Sequence, residues 1–212
     1  MRATLAALLI LNLAAATASE PDHRLDAVLN ALAQPAPTVT PFVERRESAL
    51  LTVPLTVFGR LEQPDADTLV RVVEAPHAER STVRDGRVEL VREGEPTRRF
   101  SLRRAPELAG LLDSFRALLS GQRSLLTEHY AVAFEGSPEA GWQITLSPRE
   151  SRRKQRILGL DLYGRGASFD CLRVTQADGG VSRMLLGESA AAEGSDLDQR
   201  FVQRCALADA AP

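Results

Sequence analysis

The sequence is poor in the residues that carry most protein chemistry. Its 212 residues include three histidines, two cysteines, two methionines and one tryptophan. His23, His77 and His129 are far apart, and none has a neighbour at metal-ligand spacing. Neither H-E-x-x-H nor C-x-x-C occurs, so nothing in the pattern asks for zinc. The G-x-S-x-G elbow of hydrolases and the Gly-rich loops that cradle phosphates are missing too. Asp161 and Asp170 could be brought together by folding, but they read first as solvated strand residues. The sequence therefore nominates no catalytic residue, metal or cofactor, and the expectation is a protein that is not an enzyme. A basic excess is lacking as well. The formal net charge is −2, which argues against a nucleic-acid binder. Beyond the N-terminus no apolar run approaches the length of about 20 residues that spans a bilayer.

What is present starts with Arg2, followed by an almost wholly apolar stretch from Leu5 to Ala16, broken only by Asn12. Ala16-Thr17-Ala18 then offers small residues of the kind a signal peptidase cuts behind. This three-part pattern predicts a cleaved secretory signal over residues 1–18 and a periplasmic location. No cysteine lies near the cleavage site, so no lipid anchor is expected there. One domain is expected over residues 19–205, with a loose tail over 206–212.

Leu25, Val28, Leu29 and Leu32 repeat at helical spacing, which predicts a helix over Asp22–Leu32 ended by Pro35 and Pro37. Strand patterns follow over Pro41–Leu51, Val53–Glu62 and Thr68–Glu74. Glu79–Arg84 and Arg87–Arg92 flank Asp85-Gly86, a pair suited to a tight hairpin turn. Arg98–Leu102 continues as a strand. Pro106–Leu119 predicts a helix with one broad apolar face, closed by Gly121. The second half predicts strands over Glu128–Glu135, Trp142–Leu146, Lys154–Tyr163, Phe169–Thr175 and Val181–Leu186, then a short helix over Asp196–Cys205. The sum is a mainly β, α+β protein. Its nine to eleven antiparallel strands form a curved sheet whose apolar concave face is incompletely covered by helices.

Cys171 and Cys205 can pair in only one intramolecular way. The expectation is a bridge pinning the C-terminal segment to the sheet, and the alternative is two unconnected thiols. The one basic cluster, Arg149, Arg152, Arg153, Lys154 and Arg156, reads first as a charged, solvent-facing turn. Its second reading is a docking patch for anionic headgroups or an acidic partner.

Several stretches together resemble the LolA-like superfamily of outer-membrane lipoprotein carriers, most of all its divergent carrier-related members. Phe42-Val43-Glu44-Arg45-Arg46 and Leu55-Thr56-Val57-Phe58-Gly59-Arg60-Leu61 are similar to the family's opening strands. Val83-Arg84-Asp85-Gly86 is similar to its Asp-Gly turn. Leu108–Gly121, ending Ala117-Leu118-Leu119-Ser120-Gly121, resembles its central helix. Gly141-Trp142-Gln143-Ile144-Thr145-Leu146-Ser147-Pro148 resembles its late "W-x-L-x-P" strand. The likeness covers Phe42 to Gly187. Gln63, before Pro64-Asp65, departs from it, because the family carries there a basic residue that helps hold the lid closed. The aromatic residue expected shortly afterwards is also replaced, by Asp67 and Thr68. The resemblance implies an unclosed β-barrel lidded by helices, and a monomeric carrier of acyl chains from a lipoprotein or another lipid. An inner-membrane donor and an outer-membrane acceptor would be its partners. Leu55, Val57, Leu69, Val72, Leu108, Leu111, Leu112, Phe115, Leu118 and Trp142 are the expected cleft residues. A second reading is a periplasmic lipid sensor or scaffold docked on a membrane partner through the basic cluster.

Overall fold

Side chains that alternate with a period of two lie on opposite faces of a strand, and this chain repeats that alternation eleven times. The computed structural model describes residues 20–49, 51–104, 115, 118, 120–149, 156–191 and 196–206. Helix α1 (Glu20–Leu32) comes first, then strands β1 (Thr38–Glu47), β2 (Leu55–Asp65), β3 (Thr68–Ala75), β4 (Glu79–Arg84), β5 (Arg87–Arg92) and β6 (Arg98–Ser101). Leu102–Arg104 forms a 3₁₀ turn. Phe115, Leu118 and Ser120 are helical. Helix α2 (Arg123–His129) precedes β7 (Tyr130–Ser137), β8 (Gly141–Pro148), β9 (Ile157–Arg165), β10 (Ser168–Gln176) and β11 (Val181–Leu186). Helices α3 (Glu188–Ala191) and α4 (Leu197–Arg204) close the described chain. Residues 1–18, most of the predicted helix over Pro106–Leu119, and the tail from 207 lie outside the described residues.

All strands belong to one antiparallel sheet in the order β6-β5-β4-β3-β2-β1-β11-β10-β9-β8-β7. The first and last strands therefore pair in the middle, Phe42 opposite Leu186 and Arg46 opposite Ser182. The edges β6 and β7 are left apart, so the sheet is an unclosed barrel. Asp85 and Gly86 take φ of 50° and 67°, the left-handed pair that a primed two-residue hairpin needs.

The concave face holds the main core. Leu25, Val28, Leu29 and Leu32 of α1 pack with Trp142, Ile144, Leu146, Leu160 and Leu162 from β8 and β9. Trp142 is fully buried and donates from Nε1 to the Gly166 carbonyl at 3.1 Å. Its six-membered ring lies against Gly164, where an added Cβ would come within 2.3 Å of it. The convex face carries a smaller core, in which Val43, Tyr163 and Leu185 meet Phe201 of α4. Asp196 caps α4 by accepting from the Asp198 N–H at 2.9 Å. Arg45 pairs with Asp198, and its guanidinium stacks 4.9 Å over the Phe201 ring. A disulfide joins Cys171 of β10 to Cys205 just past α4.

Two short elements depart from the sequence expectation. The strand predicted from Glu128 begins at Tyr130, and α2 fills the preceding seven residues, turning Leu126 into the core. Seven residues make barely two turns, too short for a 3.6-residue period to stand out. The same holds for the four residues of α3.

Replacing both Cys171 and Cys205 with Ser removes a cross-link spanning 34 residues. Urea unfolding should show a stability loss of about 2–4 kcal/mol. An unchanged midpoint and slope would mean that the bridge does not constrain the unfolded chain.

Candidate functional site

Helix α1 fills only one half of the concave face. Beside it lie two cavities of about 400 and 340 Å³, the larger lined chiefly from β1, β2, β10 and the end of β11, the smaller from β1 to β6 with β10 and β11. Leu61, Leu69 and Phe115 line both of them, so the two share a wall beneath the Phe115 ring. The larger runs past Leu32, Val39, Leu118 and Phe169 towards the loop after α1. The smaller is floored by Val83, Val88, Leu90 and Phe100, with Leu172, Val174 and Met184 on its far side. Phe169 stands 6.5 Å from the Phe115 ring and 6.4 Å from the Trp142 ring, so a line of aromatics joins the core to the cavities. Gln63 lines the larger cavity, and its buried Oε1 accepts no hydrogen bond from the described residues.

The smaller cavity has one polar wall, made by Glu44, Arg46, Arg71, Glu79, Ser81 and Ser182. Glu44 is 6% exposed. It accepts from Arg46 Nε and Nη2 at 2.8 and 2.9 Å, from Arg71 Nη2 at 2.6 Å and from the Ser182 hydroxyl at 2.6 Å. The Arg71 guanidinium also lies 4.8 Å over the Phe42 ring. Burial alone would push the Glu44 carboxyl up. The Arg46 hydrogen bonds and charge, the Arg71 charge and the Ser182 hydroxyl outweigh it and hold the group below its ordinary value. Arg46 is shifted up, chiefly by the same hydrogen bonds.

Of the expected cleft residues, Leu69, Phe115 and Leu118 line the cavities. Leu55, Val57 and Trp142 share the concave face but pack into the core beside them. Val72 requires a correction. It pairs with Arg60 and Arg80, whereas Leu69, Arg71 and Val73 point inward. Leu69 and Val72 are three positions apart, so the strand's period puts them on opposite faces. Leu108, Leu111 and Leu112 lie outside the described residues. In the basic cluster, Arg149 donates from Nε to the Thr127 and Tyr130 carbonyls, both at 3.0 Å, which fastens the junction of α2 and β7. Arg152, Arg153 and Lys154 lie outside the described residues, and Arg156 is already engaged.

Sequence reasoning missed Val83, Val88 and Phe100 although a signal was available. The Asp85-Gly86 turn fixes the register that sets Val83 opposite Val88, and Phe100 follows on β6. It also missed Glu44 and Arg71. These charges sit at inward positions beside apolar ones, Glu44 two residues from Phe42 and Arg71 between Leu69 and Val73, and only the register reveals it. Among the described residues no cluster of His, Cys, Asp or Glu could hold a metal ion, and no helix is long and apolar enough to cross a membrane.

Residues 15–207 match the family described as outer membrane lipoprotein carrier protein LolA-like. No curated protein is a detectable sequence relative of the chain. Among solved structures it is similar to a LolA superfamily protein from Nitrosomonas europaea, at 10% identity over 80% of this chain and 92% of that one, with a TM-score of 0.44. It is similar to the Pseudomonas aeruginosa MucA/MucB complex at 16% identity, over 86% of this chain and 60% of that one, with a TM-score of 0.37. LprF from Mycobacterium bovis aligns at 13% identity, over 82% and 95%, with a TM-score of 0.37. At these scores the structural likenesses add no weight, and the family assignment rests on the sequence match.

The Glu44 cluster makes a pH-dependent prediction. A carboxyl held below its ordinary value of 4.5 contributes stability above that pH, and the contribution fades as pH falls through the lowered value. Glu44→Gln leaves Arg71 with a neutral partner and should cost about 2–3 kcal/mol near neutral pH. That is less than a fully buried pair would lose, because Arg46 keeps 43% of its side chain exposed. Urea unfolding of both proteins from about pH 7 down to about pH 3 should show the difference shrinking below pH 4.5. A difference constant across that range would show that the Glu44 carboxyl binds its proton equally well in the folded and unfolded chain, so its contacts do not favour the ionised form.

Proposed function

The chain belongs to the LolA-like family of outer membrane lipoprotein carrier proteins, and on that premise we propose that it is a non-catalytic lipid carrier of the periplasm. In this reading residues 19–205 act as one monomeric domain after removal of residues 1–18. The protein takes acyl chains of a lipoprotein or another lipid from an inner-membrane donor and releases them to an outer-membrane acceptor.

The observation that carries the reading is the pair of adjacent cavities that share Leu61, Leu69 and Phe115. Each falls within the roughly 300–1,000 Å³ typical of small-molecule sites, and each presents mostly apolar side chains. Burying a methylene is worth about 0.8 kcal/mol, so a chain of a dozen or so carbons would be held without any reactive group. Release requires only that the cover over the chain give way. Phe115, partly buried at the shared wall, belongs to the segment that would form such a cover.

A fluorescent fatty-acyl probe tests the reading. Leu69→Arg and Phe115→Glu each place a charge at the shared wall and should weaken binding at least about tenfold, with thermal unfolding monitored alongside. Phe58→Glu is the control, because Phe58 sits on the convex face opposite Val43 and is already 44% exposed. Equal binding by all three variants would remove the acyl chain from this face of the sheet.

A further inference from the structure

One row of inward-facing residues crosses six strands and changes character along its length. Thr38 of β1 lies opposite Gln63 of β2. Leu61 pairs with Arg71, and Gln63 and Leu69, each two residues nearer the same end of the sheet, both line the larger cavity. Leu69, Val83, Val88 and Phe100 carry the row on across β3 to β6. Neighbouring strands lie about 4.8 Å apart, so the row runs roughly 19 Å from β2 to β6. It is polar over β1 and β2 and apolar over β3 to β6. Thr40, two residues along β1, brings a second hydroxyl to the polar end.

The polar end lacks both a partner and a positive charge. Gln63 Oε1 is buried and accepts no hydrogen bond from the described residues. A buried acceptor left unpaired is costly, and a donor arriving with a ligand removes that cost. No hydrogen bond holds the oxygen where it lies, so the side-chain amide can turn it towards such a donor. The Thr38 and Thr40 hydroxyls accept as well as donate. Among the described residues, no Lys, Arg or His lines the larger cavity. Its carboxylates are Glu62, which is paired with Arg60 and Arg80, and the exposed Glu188. An anionic headgroup would find no countercharge there.

Resting on the carrier reading, we propose that the Thr38 and Gln63 end of the row receives the lipid's headgroup, and that this headgroup is uncharged and donates an N–H or O–H hydrogen bond. Gln63 Oε1 accepts that bond. The acyl tail starts at Leu61 and Leu69, passes Phe115 and lies across Val83, Val88 and Phe100 in the smaller cavity. The charged wall of that cavity, Arg46 and Arg71 against Glu44 and Glu79, is already balanced and takes no part in recognising the headgroup.

The test titrates probes that share one fluorescent tail against the full chain. An N-methyl amide or an alcohol should bind about tenfold more tightly than the methyl ester, which has no donor to offer. The tighter of those two identifies the donor as N–H or O–H. An N,N-dimethyl amide keeps the carbonyl without the N–H and should fall back to the ester's affinity. The carboxylic acid, ionised at about pH 8, should bind no more tightly than the ester. Gln63→Met keeps the side chain's length and removes the acceptor. It should erase the donors' advantage and leave ester affinity unchanged. The thermal midpoint of the free protein should not fall, because the exchange breaks no hydrogen bond. Equal affinity for donors and ester in the unaltered chain, an advantage that survives Gln63→Met, tighter binding of the acid than of the ester, or a lowered midpoint in Gln63→Met would each overturn the proposal and leave the acyl cleft standing. Failure of every probe to bind would instead count against the carrier reading and this proposal together.

Discussion

The architecture turns on a mismatch of size between one helix and one sheet. Eleven strands spaced about 4.8 Å apart span roughly 48 Å along the arc of the sheet. Helix α1, at 13 residues, is only about 20 Å long. Its apolar stripe is used up against β8 and β9, where Trp142, Ile144 and Leu146 have no remaining exposure. The strands on the far side, β3 to β6, keep an apolar inner row of Leu69, Val83, Val88 and Phe100 that α1 does not reach. Hydrophobic surface left in this state is covered by another segment or taken by a ligand. Phe115 and Leu118 supply part of the cover, and the two cavities are what remains beneath it.

The central strands serve both faces at once. On β1, Val43 and Arg45 point out to α4 while Phe42, Glu44 and Arg46 point in. On β10 and β11, Cys171 and Leu185 point out while Leu172 and Met184 point in. The disulfide and the capped α4 therefore sit directly behind the wall that carries the charged cluster. Polar groups buried beside apolar surface have to be held by partners, since an unpaired one is costly. Glu44 contributes to that fixity by tying β1 to β3 through Arg71 and to β11 through Ser182.

Much of the fold can be read directly from the residues. The α1 stripe, the Asp85-Gly86 hairpin and the strand over Val181–Leu186 follow from periodicity and turn chemistry, each of which acts within a few residues. Elements of seven and four residues, α2 and α3, fall below the length at which a period shows. The site is less legible because it depends on register. Val72 and Leu69 look equivalent as branched apolar residues of one strand, yet three steps along a pleat reverse the face. Glu44, Arg46 and Arg71 look like ordinary surface charges until their strands are set beside Phe42 and Leu69. Long-range pairing, Phe42 with Leu186 above all, decides those positions, and no local pattern encodes it.

Where the hydrocarbon lies can be measured with a fatty acid bearing a photoreactive diazirine near its tail end. The probe would be irradiated on the full chain and the adducts located by tandem mass spectrometry. Labels should fall on peptides carrying Leu61, Leu69, Val83 or Phe115. Labels confined to the convex face, around Phe58 or α4, or the absence of any saturable label, would contradict an interior site for the tail.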